Sequence, residues 1–244
     1  MIKSLNELIT DFLNNSCHLN SSTSNYFVDN LIVPTAYIAW RLHDCSVLKI
    51  PPGKIVIAKY LVSDIFNHPH VKTYHEWFLR IWNIGKGTDY VWLMPCTSKK
   101  PYVRSVTYKM AKYYTKRLKE VGINVELIAI SEPMGLVPIR FSSYYPVANY
   151  DYPPKLMDYK DRELMVKLLI KLFKKLLKMN IRNYIIATLP KHHELILREV
   201  IKELDEETRR KVIIVPYGRK AFKTLRSVYE GMLKNQISLL AVSV

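Results

Sequence analysis

The stretch VWLMPCTSKKPYVRS, residues 91–105, carries the chain from a strand into a helix. With the tyrosine before it, it begins as the apolar run YVWLM, which is typical of a strand buried on both faces of a parallel sheet. The run ends at Pro95-Cys96, and residues 102–120 then place apolar side chains at helical spacing, with lysines between them. A buried strand followed directly by an amphipathic helix predicts the β-α units of an α/β fold.

The same alternation continues over most of the chain. Helices are predicted at residues 2–14, 69–82, 102–120, 159–179, 191–204 and 219–233, and strands at 90–94, 124–130, 183–189 and 211–216. The last apolar run, ISLLAV at 237–242, fits either a further strand or a tail packed on the core. Buried strands between helices predict a three-layer α/β sandwich with a mainly parallel sheet of four to five strands.

The first third of the chain has a weaker pattern. Residues 26–50 and the run KIVIAKYLV at 54–62 fit neither a helix nor a strand clearly, and Pro51-Pro52-Gly53 is the strongest break. We therefore predict a mostly helical N-terminal segment, residues 1–66, followed by an α/β domain of residues 67–244.

Two irregular stretches lie where ligands bind in α/β sheets. Parallel strands bring their carboxyl ends to one edge, and residues 95–105 and 131–151 both follow such ends. Residues 131–154 form a long predicted loop with five prolines and one glycine, which indicates a shaped connection. The two stretches are therefore predicted to meet over a common cleft.

The chain has a net charge of +16, and its basic residues are not confined to a tail. Residues 1–50 hold three basic and four acidic side chains, so the positive charge lies in the rest of the chain. With 17 tyrosines available for stacking, this favours a nucleic acid partner. A lysine-rich solvated surface, as in proteins from hot environments, is the alternative. No apolar run approaches the roughly 18 residues of a membrane span and no signal peptide is evident, so we expect a soluble cytoplasmic protein.

The cysteines give no sign of pairing. Cys17, Cys45 and Cys96 are odd in number and far apart, and no CxxC pair occurs. This pattern argues against a disulfide framework and against a zinc ribbon.

The histidines do not predict a metal site. His70 and His75 are five residues apart on a predicted helix and therefore point in different directions, and His192-His193 at a helix start is a weaker candidate still. Walker, GxGxxG and GxSxG motifs are absent from the sequence, which disfavours nucleotide hydrolysis, dinucleotide-dependent dehydrogenation and serine hydrolysis.

The segment after the first strand combines features of an anion site. A helix N-terminus offers free backbone N–H groups, and Thr97 and Ser98 can donate hydrogen bonds. Lys99 and Lys100 add full positive charges. A thiolate at Cys96 would be favoured in this setting, although the residue fits a small buried apolar position equally well.

Glu132 directly follows the strand at 124–130 and precedes a proline. A carboxylate held there could bind an amine or act as a base, or it could cap a backbone amide in a turn. Gly135 is predicted to lie where a side chain would clash.

Two stretches together resemble the central domain of archaeosine synthase, the archaeal tRNA-modifying paralogue of tRNA-guanine transglycosylase. The first family motif is Pro-Cys, three residues, Lys-Pro-Tyr, two residues, Ser, two residues and His, and the chain matches it at Pro95, Cys96, Lys100, Pro101, Tyr102 and Ser105. The second, Ser-Pro-Leu-Gly-Val-Val-Pro followed by Tyr-Pro-Ala-Ala-Asn-Tyr-Asp, is similar to residues 131–138 and 145–151. The resemblance covers about residues 67–155. Tyr108 stands at the motif's final histidine, and YPPKLM stands where the family continues with Val-Thr-Gly.

The resemblance implies a fold similar to uracil-DNA glycosylase and an activity on tRNA. Archaeosine synthase adds free lysine to the nitrile of 7-cyano-7-deazaguanine in the tRNA D-loop, and a radical S-adenosylmethionine partner then cleaves the adduct to the amidine of archaeosine. Free lysine is the expected co-substrate, and no cofactor is expected. The transglycosylase-like and PUA domains do not fit into 244 residues, so we expect a stand-alone form that uses its own basic surface or a separate RNA-binding chain.

The site residues implied by the two blocks fall into three groups. Predicted catalytic residues are Cys96, Glu132, Tyr102, Ser105 and Asp151. Predicted substrate-binding residues are Pro95, Lys100, Ser131, Gly135 and Asn149. Predicted nucleic-acid contacts are Lys99, Arg104, Lys109, Lys112 and Arg140. Glu132 or Asp151 would position or deprotonate the amine, and Tyr102 or Ser105 would donate to the nitrile nitrogen. Cys96 would be either a transient nucleophile or a packing residue.

Two other interpretations are kept. A non-catalytic tRNA-binding or partner subunit is favoured by Tyr108 and by the missing Val-Thr-Gly. A base glycosylase, suggested by the implied fold, is weaker because the chain shows no motif like that family's water-activating loop.

Overall fold

Helices and strands alternate along most of the chain in the computed structural model, which describes residues 3–18, 23–217 and 221–240. The α-helices are α1 (Leu5–Ser16), α2 (Pro34–Leu42), α3 (Pro69–Arg80), α4 (Val106–Glu120), α5 (Tyr159–Leu177), α6 (Lys191–Lys202), α7 (Glu206–Arg210) and α8 (Ala221–Leu233). The β-strands are β1 (Phe27–Val28), β2 (Leu31–Ile32), β3 (Ile57–Ala58), β4 (Tyr90–Pro95), β5 (Val125–Ser131), β6 (Gly135–Pro138), β7 (Tyr150–Asp151), β8 (Ile185–Leu189) and β9 (Val212–Pro216).

The main sheet has five strands in the order β6-β5-β4-β8-β9. Strands β5, β4, β8 and β9 are parallel, and β6 pairs antiparallel with β5 at the edge. Every residue of the central strand β4 is buried, as its unbroken apolar run requires. The predicted mixed α/β class and the mainly parallel five-stranded sheet are confirmed, while the likeness to uracil-DNA glycosylase stays a prediction.

Helices cover both faces of this sheet. The connections β4-α4-β5 and β8-α6-β9 run in opposite directions across the sheet, and right-handed crossovers therefore place α4 and α6 on opposite faces. Helix α8 packs on α4, and helix α5 packs on α6 and α3. The carboxyl ends of the parallel strands stay open between these two helical layers.

Most predicted elements differ from the structure by a few residues at their ends. The helix predicted from residue 102 begins at Val106, because Tyr102–Arg104 form a 3-10 turn and the Ser105 hydroxyl caps the helix. The predicted C-terminal strand or tail is a 3-10 turn over Ile237–Leu240, and its last residues lie outside the described part. Residue 2 of the first predicted helix also lies outside it.

The prediction that residues 131–154 form a loop without strands is wrong in two places. Strand β6 continues the main sheet, and Pro138 at its end is tolerated because β6 is an edge strand. Strand β7 pairs in parallel with β3 of the N-terminal segment. Both strands are too short to show a period in the sequence, so only their partners reveal them.

The N-terminal segment is bound closely to the residues that follow it. The buried side-chain amide of Asn149 donates at 2.8 Å to the carbonyls of both Pro51 and Lys54. The Lys59 ammonium pairs at 2.5 Å with the buried carboxylate of Asp161 on α5. The segment contains α1 and α2, a β1-β2 hairpin and 3-10 turns, and the boundary at residues 66 and 67 stays a prediction.

A disulfide bond joins Cys17 to Cys45, with 5.5 Å between their Cα atoms. The expectation that the cysteines do not pair is therefore wrong. The two residues are 28 positions apart in the sequence, and packing of α1 on α2 brings them together. No helix within the described residues is long and apolar enough to cross a membrane.

Gly135 allows a direct test of the packing of β6 against α5. Its φ of +74° is in the left-handed region, and an added Cβ would clash with Leu172 and press on Leu168. We expect Gly135→Ala to lower the free energy of unfolding by about 2–4 kcal/mol, from backbone strain plus overpacking. Gly122, with a φ of +82° and open space around it, is the matched control. Gly122→Ala should cost only the strain, about 1 kcal/mol, and equal losses in chemical denaturation would contradict the predicted clash.

The disulfide bond gives a second prediction. Closing a loop of this length should stabilise the fold by about 3.5 kcal/mol by restricting the unfolded chain. We expect the double variant Cys17→Ala/Cys45→Ala to lose about that much, and reductant to destabilise the wild type but not the variant. Titration of thiols in the native, unreduced protein should find one per chain, whereas three would show that the bond does not form.

Candidate active site

A cavity of about 450 Å³ opens at the carboxyl ends of β4, β8 and β9. Among the residues lining it are Pro95, Cys96, Lys100, Tyr108, Tyr150, Asp151, Tyr152, Pro190, His193 and Tyr217. The segments 95–105 and 131–151 thus contribute to one cleft, as predicted. The volume is within the range of pockets that hold small ligands or single bases.

A buried carboxylate lies beside this cavity. Glu132 follows β5 and is fully buried, and its two oxygens accept hydrogen bonds at 3.1 Å from Nε2 of His192 and Nε2 of His193. Burial alone would raise the pKa of Glu132, but the charge of His193 and the two hydrogen bonds hold it well below its ordinary value. Burial alone would lower the pKa of His193, but the Glu132 carboxylate raises it above its usual value. The pair is therefore ionised at neutral pH.

Cys96 reaches the same group from the end of β4. Its Sγ lies 3.9 Å from Oε2 of Glu132, and donor atoms of Cys96, Glu132 and His193 all lie within 4.8 Å of one another. Nδ1 of His193 is buried and has no hydrogen-bond partner among the described residues. The cluster thus combines a thiol, an imidazole with one unused nitrogen and an ionised carboxylate.

Lys100 brings a positive charge into the cavity. Its Nζ lies 4.0 Å from the centre of the Tyr150 ring, a cation–π contact, and donates at 3.4 Å to the carbonyl of Thr97. Burial lowers the pKa of Lys100, and the nearby Cys96, Asp151 and Glu132 oppose this. The ammonium group therefore faces the acidic groups of the cavity and not the solvent.

Three hydroxyl groups form a buried cluster next to Lys100. The Tyr102 hydroxyl donates to Ser131 Oγ at 2.8 Å and lies 2.5 Å from the Tyr150 hydroxyl, which also contacts Ser131. Burial raises the pKa values of Tyr102 and Tyr150 well above normal, so both stay neutral. The cluster is a source of neutral hydrogen-bond donors at the cavity wall.

Tyr108, which stands at the motif's histidine position, is held by a hydrogen bond to the backbone. Its hydroxyl donates at 2.9 Å to the carbonyl of Pro95, and its ring stacks on Tyr102 with centroids 5.8 Å apart. The residue at the motif's histidine position therefore supports the end of β4.

The predicted site residues separate into two sets. Pro95, Cys96, Lys100 and Asp151 line the cavity, Glu132 lies beside it, and Tyr102 and Ser131 belong to the hydroxyl cluster. The remaining predicted catalytic and substrate-binding residues have structural partners: Ser105 as the cap of α4, Gly135 against α5, and Asn149 against residues 51 and 54.

The predicted nucleic-acid contacts are mostly exposed. Lys99, Arg104, Lys109 and Lys112 are exposed to solvent. Arg140 instead pairs with Asp29 at 3.1 Å and stacks on a neighbouring ring. Their binding of nucleic acid stays a prediction.

The anion site predicted at a helix N-terminus is not built as expected. Thr97 and Lys100 lie in a turn before α4, and the Thr97 hydroxyl donates at 2.7 Å to the carbonyl of Lys99. Because α4 begins only at Val106, residues 97–100 do not supply its N-terminal N–H groups.

His193 is the main residue that the sequence analysis did not select. In the sequence, the pair His192-His193 is considered only as a weak candidate for metal ligands. The available signal was its position, since both residues begin α6 directly after β8, at the same sheet edge as Cys96 and Glu132.

The cluster of Cys96, Glu132 and His193 is compact enough to be compared with a metal site. Both oxygens of Glu132 already accept N–H hydrogen bonds, and Lys100 places a second cation nearby. The geometry of the described residues is that of a hydrogen-bonded acid–base group.

Comparison with known proteins adds relatives for most of the chain. The family model described as Domain of unknown function (DUF5591) matches residues 71–228. Archaeosine synthase of Methanocaldococcus jannaschii is 32% identical over 190 residues, which cover 75% of this chain and 30% of that protein. Archaeosine synthase subunit alpha of Thermococcus kodakarensis is 26% identical over 140 residues, 54% of this chain and 24% of that protein. The chain thus spans less than a third of the length of these relatives.

One solved structure resembles the chain in part. The crystal structure of AF0587, a protein of unknown function, aligns with a TM-score of 0.39 and 22% sequence identity, over 62% of this chain and 45% of that one.

The ionised pair of Glu132 and His193 should make stability depend on pH. Because the pKa of His193 is raised in the folded state, its contribution is complete below about pH 6.5 and is lost as the pH rises. We expect the unfolding free energy of the wild type minus that of His193→Gln to fall above about pH 7, by up to about 1.4 kcal/mol per pH unit. Glu132, with its lowered pKa, loses its contribution only in strong acid.

Chemical denaturation across neutral and alkaline pH measures this difference. Subtracting the two unfolding free energies removes the contributions of groups that both proteins share. One such group is Lys175, whose pKa is lowered by burial to about 8. A difference that stays constant or increases with pH would contradict the assigned charge state of His193.

Proposed function

Because the chain belongs to the family described as Domain of unknown function (DUF5591) and is a relative of archaeosine synthases, we propose that it takes part in archaeosine modification of tRNA. The names of the relatives support tRNA modification in general. The cavity of this chain and the resemblance of its two sequence blocks support a more specific proposal for the reaction, the substrate and the partners.

We propose that the reaction is addition of the side-chain amine of free lysine to the nitrile of 7-cyano-7-deazaguanine in the tRNA D-loop. The observation that carries this proposal is the buried acid–base group at the cavity, in which Glu132 and His193 are ionised next to Cys96. Amine addition to a nitrile needs an acid for the nitrile nitrogen and a group that holds the amine in its neutral form. Asp151 at the cavity wall is the candidate for binding the amine.

The cavity suits a base that has been turned out of the RNA. Its volume of about 450 Å³ exceeds that of one base, and the rings of Tyr150, Tyr152 and Tyr217 line it. Aromatic rings stack on extruded bases, and the remaining volume would hold the lysine co-substrate. The neutral hydroxyl of Tyr102 would donate to polar atoms at the deeper wall.

Helix α4 would guide the RNA backbone. Thr107 at its start lines the active-site cavity, and a second cavity of about 420 Å³ near its other end is lined by Lys112, Lys116 and Lys119. The helix of 15 residues spans about 22 Å, so the two cavities are several phosphate spacings apart. Exposed lysines along this line would bind successive phosphates.

The pathway implied by the resemblance needs further proteins. A radical S-adenosylmethionine enzyme would convert the lysine adduct to archaeosine, and separate RNA-binding chains would strengthen the hold on tRNA. The Thermococcus kodakarensis relative is named as a subunit alpha, which supports an assembly of several chains for that protein.

A tRNA-binding subunit without catalysis is the second candidate. Tyr108 favours it, since this side chain is fully buried and bonded to the Pro95 carbonyl, and so cannot replace a catalytic histidine in proton transfer. The presence of His193 at the cavity favours catalysis instead.

Mass spectrometry of tRNA separates the two candidates. We expect tRNA carrying 7-cyano-7-deazaguanine, incubated with the protein and lysine, to gain the mass of one lysine. Glu132→Gln should slow this gain by about 10²-fold or more, because the charge that orients His193 is lost. The control tRNA carries guanine at the same position and should gain nothing. Tight tRNA binding without any mass gain would support the non-catalytic subunit, and release of free base would support a glycosylase.

A further inference from the structure

Cys96 is a free thiol held in a fixed position. The chain's three cysteines all lie in the described residues, and Cys96 is the one outside the disulfide bond. Its backbone N–H donates to the carbonyl of Ile130 at 2.9 Å, and the preceding carbonyl, of Pro95, accepts the hydroxyl of Tyr108. The side chain is half-buried and lines the active-site cavity. A small electrophile in the cavity can therefore contact the sulfur without any movement of the strand.

The imidazole beside this thiol has an unused nitrogen. His193 is 3% exposed and lines the same cavity, and its Nε2 is bound to Glu132. Within the part of the chain that the structure describes, its Nδ1 has no hydrogen-bond partner. Leaving such a nitrogen unpaired in the interior is unfavourable, because its hydrogen bonds to water are lost without replacement. The nitrogen is therefore placed for a ligand atom that completes its hydrogen bonding.

The charges around Cys96 suit a reaction in which a negative charge forms on its sulfur and is then lost. Lys100 and His193 are the cations next to the sulfur, and Glu132 and Asp151 are the anions. An uncompensated charge would be costly at this depth, so the four groups keep the site close to neutral before and after proton transfer. A residue that only filled space would not need such surroundings.

We propose that Cys96 is a nucleophile that captures the nitrile carbon as a covalent thioimidate, with His193 as the proton carrier and Glu132 as the residue that positions it. This inference rests on the proposed function, because it requires a nitrile in the cavity. It assigns the free thiol and the imidazole to one catalytic group that spans β4, β5 and α6.

The first step adds the thiol across the carbon–nitrogen triple bond. The sulfur of Cys96 forms a bond to the nitrile carbon while one π bond breaks. His193 gives a proton to the nitrile nitrogen and receives the thiol proton, so the imidazole ends as it began. The product is a thioimidate, R–C(=NH)–S, on the protein.

The second step transfers the carbon to the amine. The neutral amine of free lysine adds to the thioimidate carbon, and one proton of the amine passes to the imine nitrogen. The tetrahedral intermediate then expels sulfur as a thiolate, which regains a proton through His193. The product is the amidine R–C(=NH)–NH–R′, and the sum of the steps is nitrile plus amine. Covalent capture divides one difficult addition into two easier ones.

Intact-mass spectrometry of the protein without lysine tests the covalent step. We expect the wild-type chain, incubated with free 7-cyano-7-deazaguanine or with tRNA that carries it, to gain the mass of the nitrile compound. Addition of lysine should remove this mass and release the amidine product. Cys96→Ala and Cys96→Ser should gain no mass, and should add lysine to tRNA about 10³-fold more slowly or worse.

Variants of the two histidines test the proton carrier. His193→Gln should slow capture of the nitrile by about 10²-fold, while Cys96 in this variant still reacts with iodoacetamide, which shows that the fold and the thiol are intact. His192→Gln is the matched control, because His192 bonds the same carboxylate but does not line the cavity. It should keep most of the capture rate, and equal losses in both variants would overturn the role of His193.

The outcomes separate this inference from the proposed function. Cys96→Ala that adds lysine to tRNA at the wild-type rate overturns the covalent step and leaves the proposed function standing. A wild type that modifies tRNA but never gains mass without lysine does the same. Zinc bound at one per chain and required for activity would overturn the nucleophile in favour of a metal site. A wild type that neither gains mass nor modifies tRNA overturns both proposals.

Discussion

The buried charge of Glu132 constrains the arrangement of the whole sheet edge. A carboxylate removed completely from water costs several kcal/mol unless it is paired and hydrogen-bonded. Its partners, His192 and His193, lie about 60 residues along the chain, at the start of α6. The pairing therefore requires β5 and the β8-α6 unit to hold a definite distance across the intervening β4. Cys96, directly after that central strand, lies 3.9 Å from the carboxylate and lines the cavity.

The N-terminal segment completes the wall that the sheet alone leaves open. Strand β3 pairs with β7, and this pairing holds Tyr150 and Asp151 against the cavity. The ring of Tyr150 in turn supports Lys100, so the position of this cation depends on the pairing of two strands that are more than 90 residues apart in the sequence. The buried ion pair of Lys59 with Asp161 fixes the end of β3 to α5. The family model begins at residue 71, and yet part of the geometry of the site is set by residues 51–59.

The sequence predicts the elements whose apolar pattern lies within one segment, but not the features that depend on contacts between distant segments. The strand YVWLM and the amphipathic helix after it are recognisable because their apolar periods lie within a single element, and parallel pairing then places their ends at one edge. Strands β6 and β7 have four and two residues, too few for a period, and they exist because of their partners. Cys17 and Cys45 are joined by the packing of two helices, which no spacing rule anticipates.

His193 illustrates the same limit at the site. As a residue of α6 it carries no local signal, and its orientation and charge depend on Glu132 from another β-α unit. The sheet-edge rule that grouped residues 95–105 with 131–151 applies equally to the residues after β8. Applied to every strand end, the rule would have placed His193 beside Cys96.

Tyr108 differs from the histidine of the family motif, and this difference is compatible with the proposed reaction. A histidine there would lie on α4, whereas the tyrosine uses its longer side chain to bond the Pro95 carbonyl, next to Cys96. The backbone of Cys96 is then held by this bond on one side and by its own bond to Ile130 on the other. A nucleophile gains from such fixed geometry, because less freedom is lost when the substrate is attacked. In the proposed mechanism the proton carrier is His193 on the opposite helical layer, so position 108 is free to serve as a support.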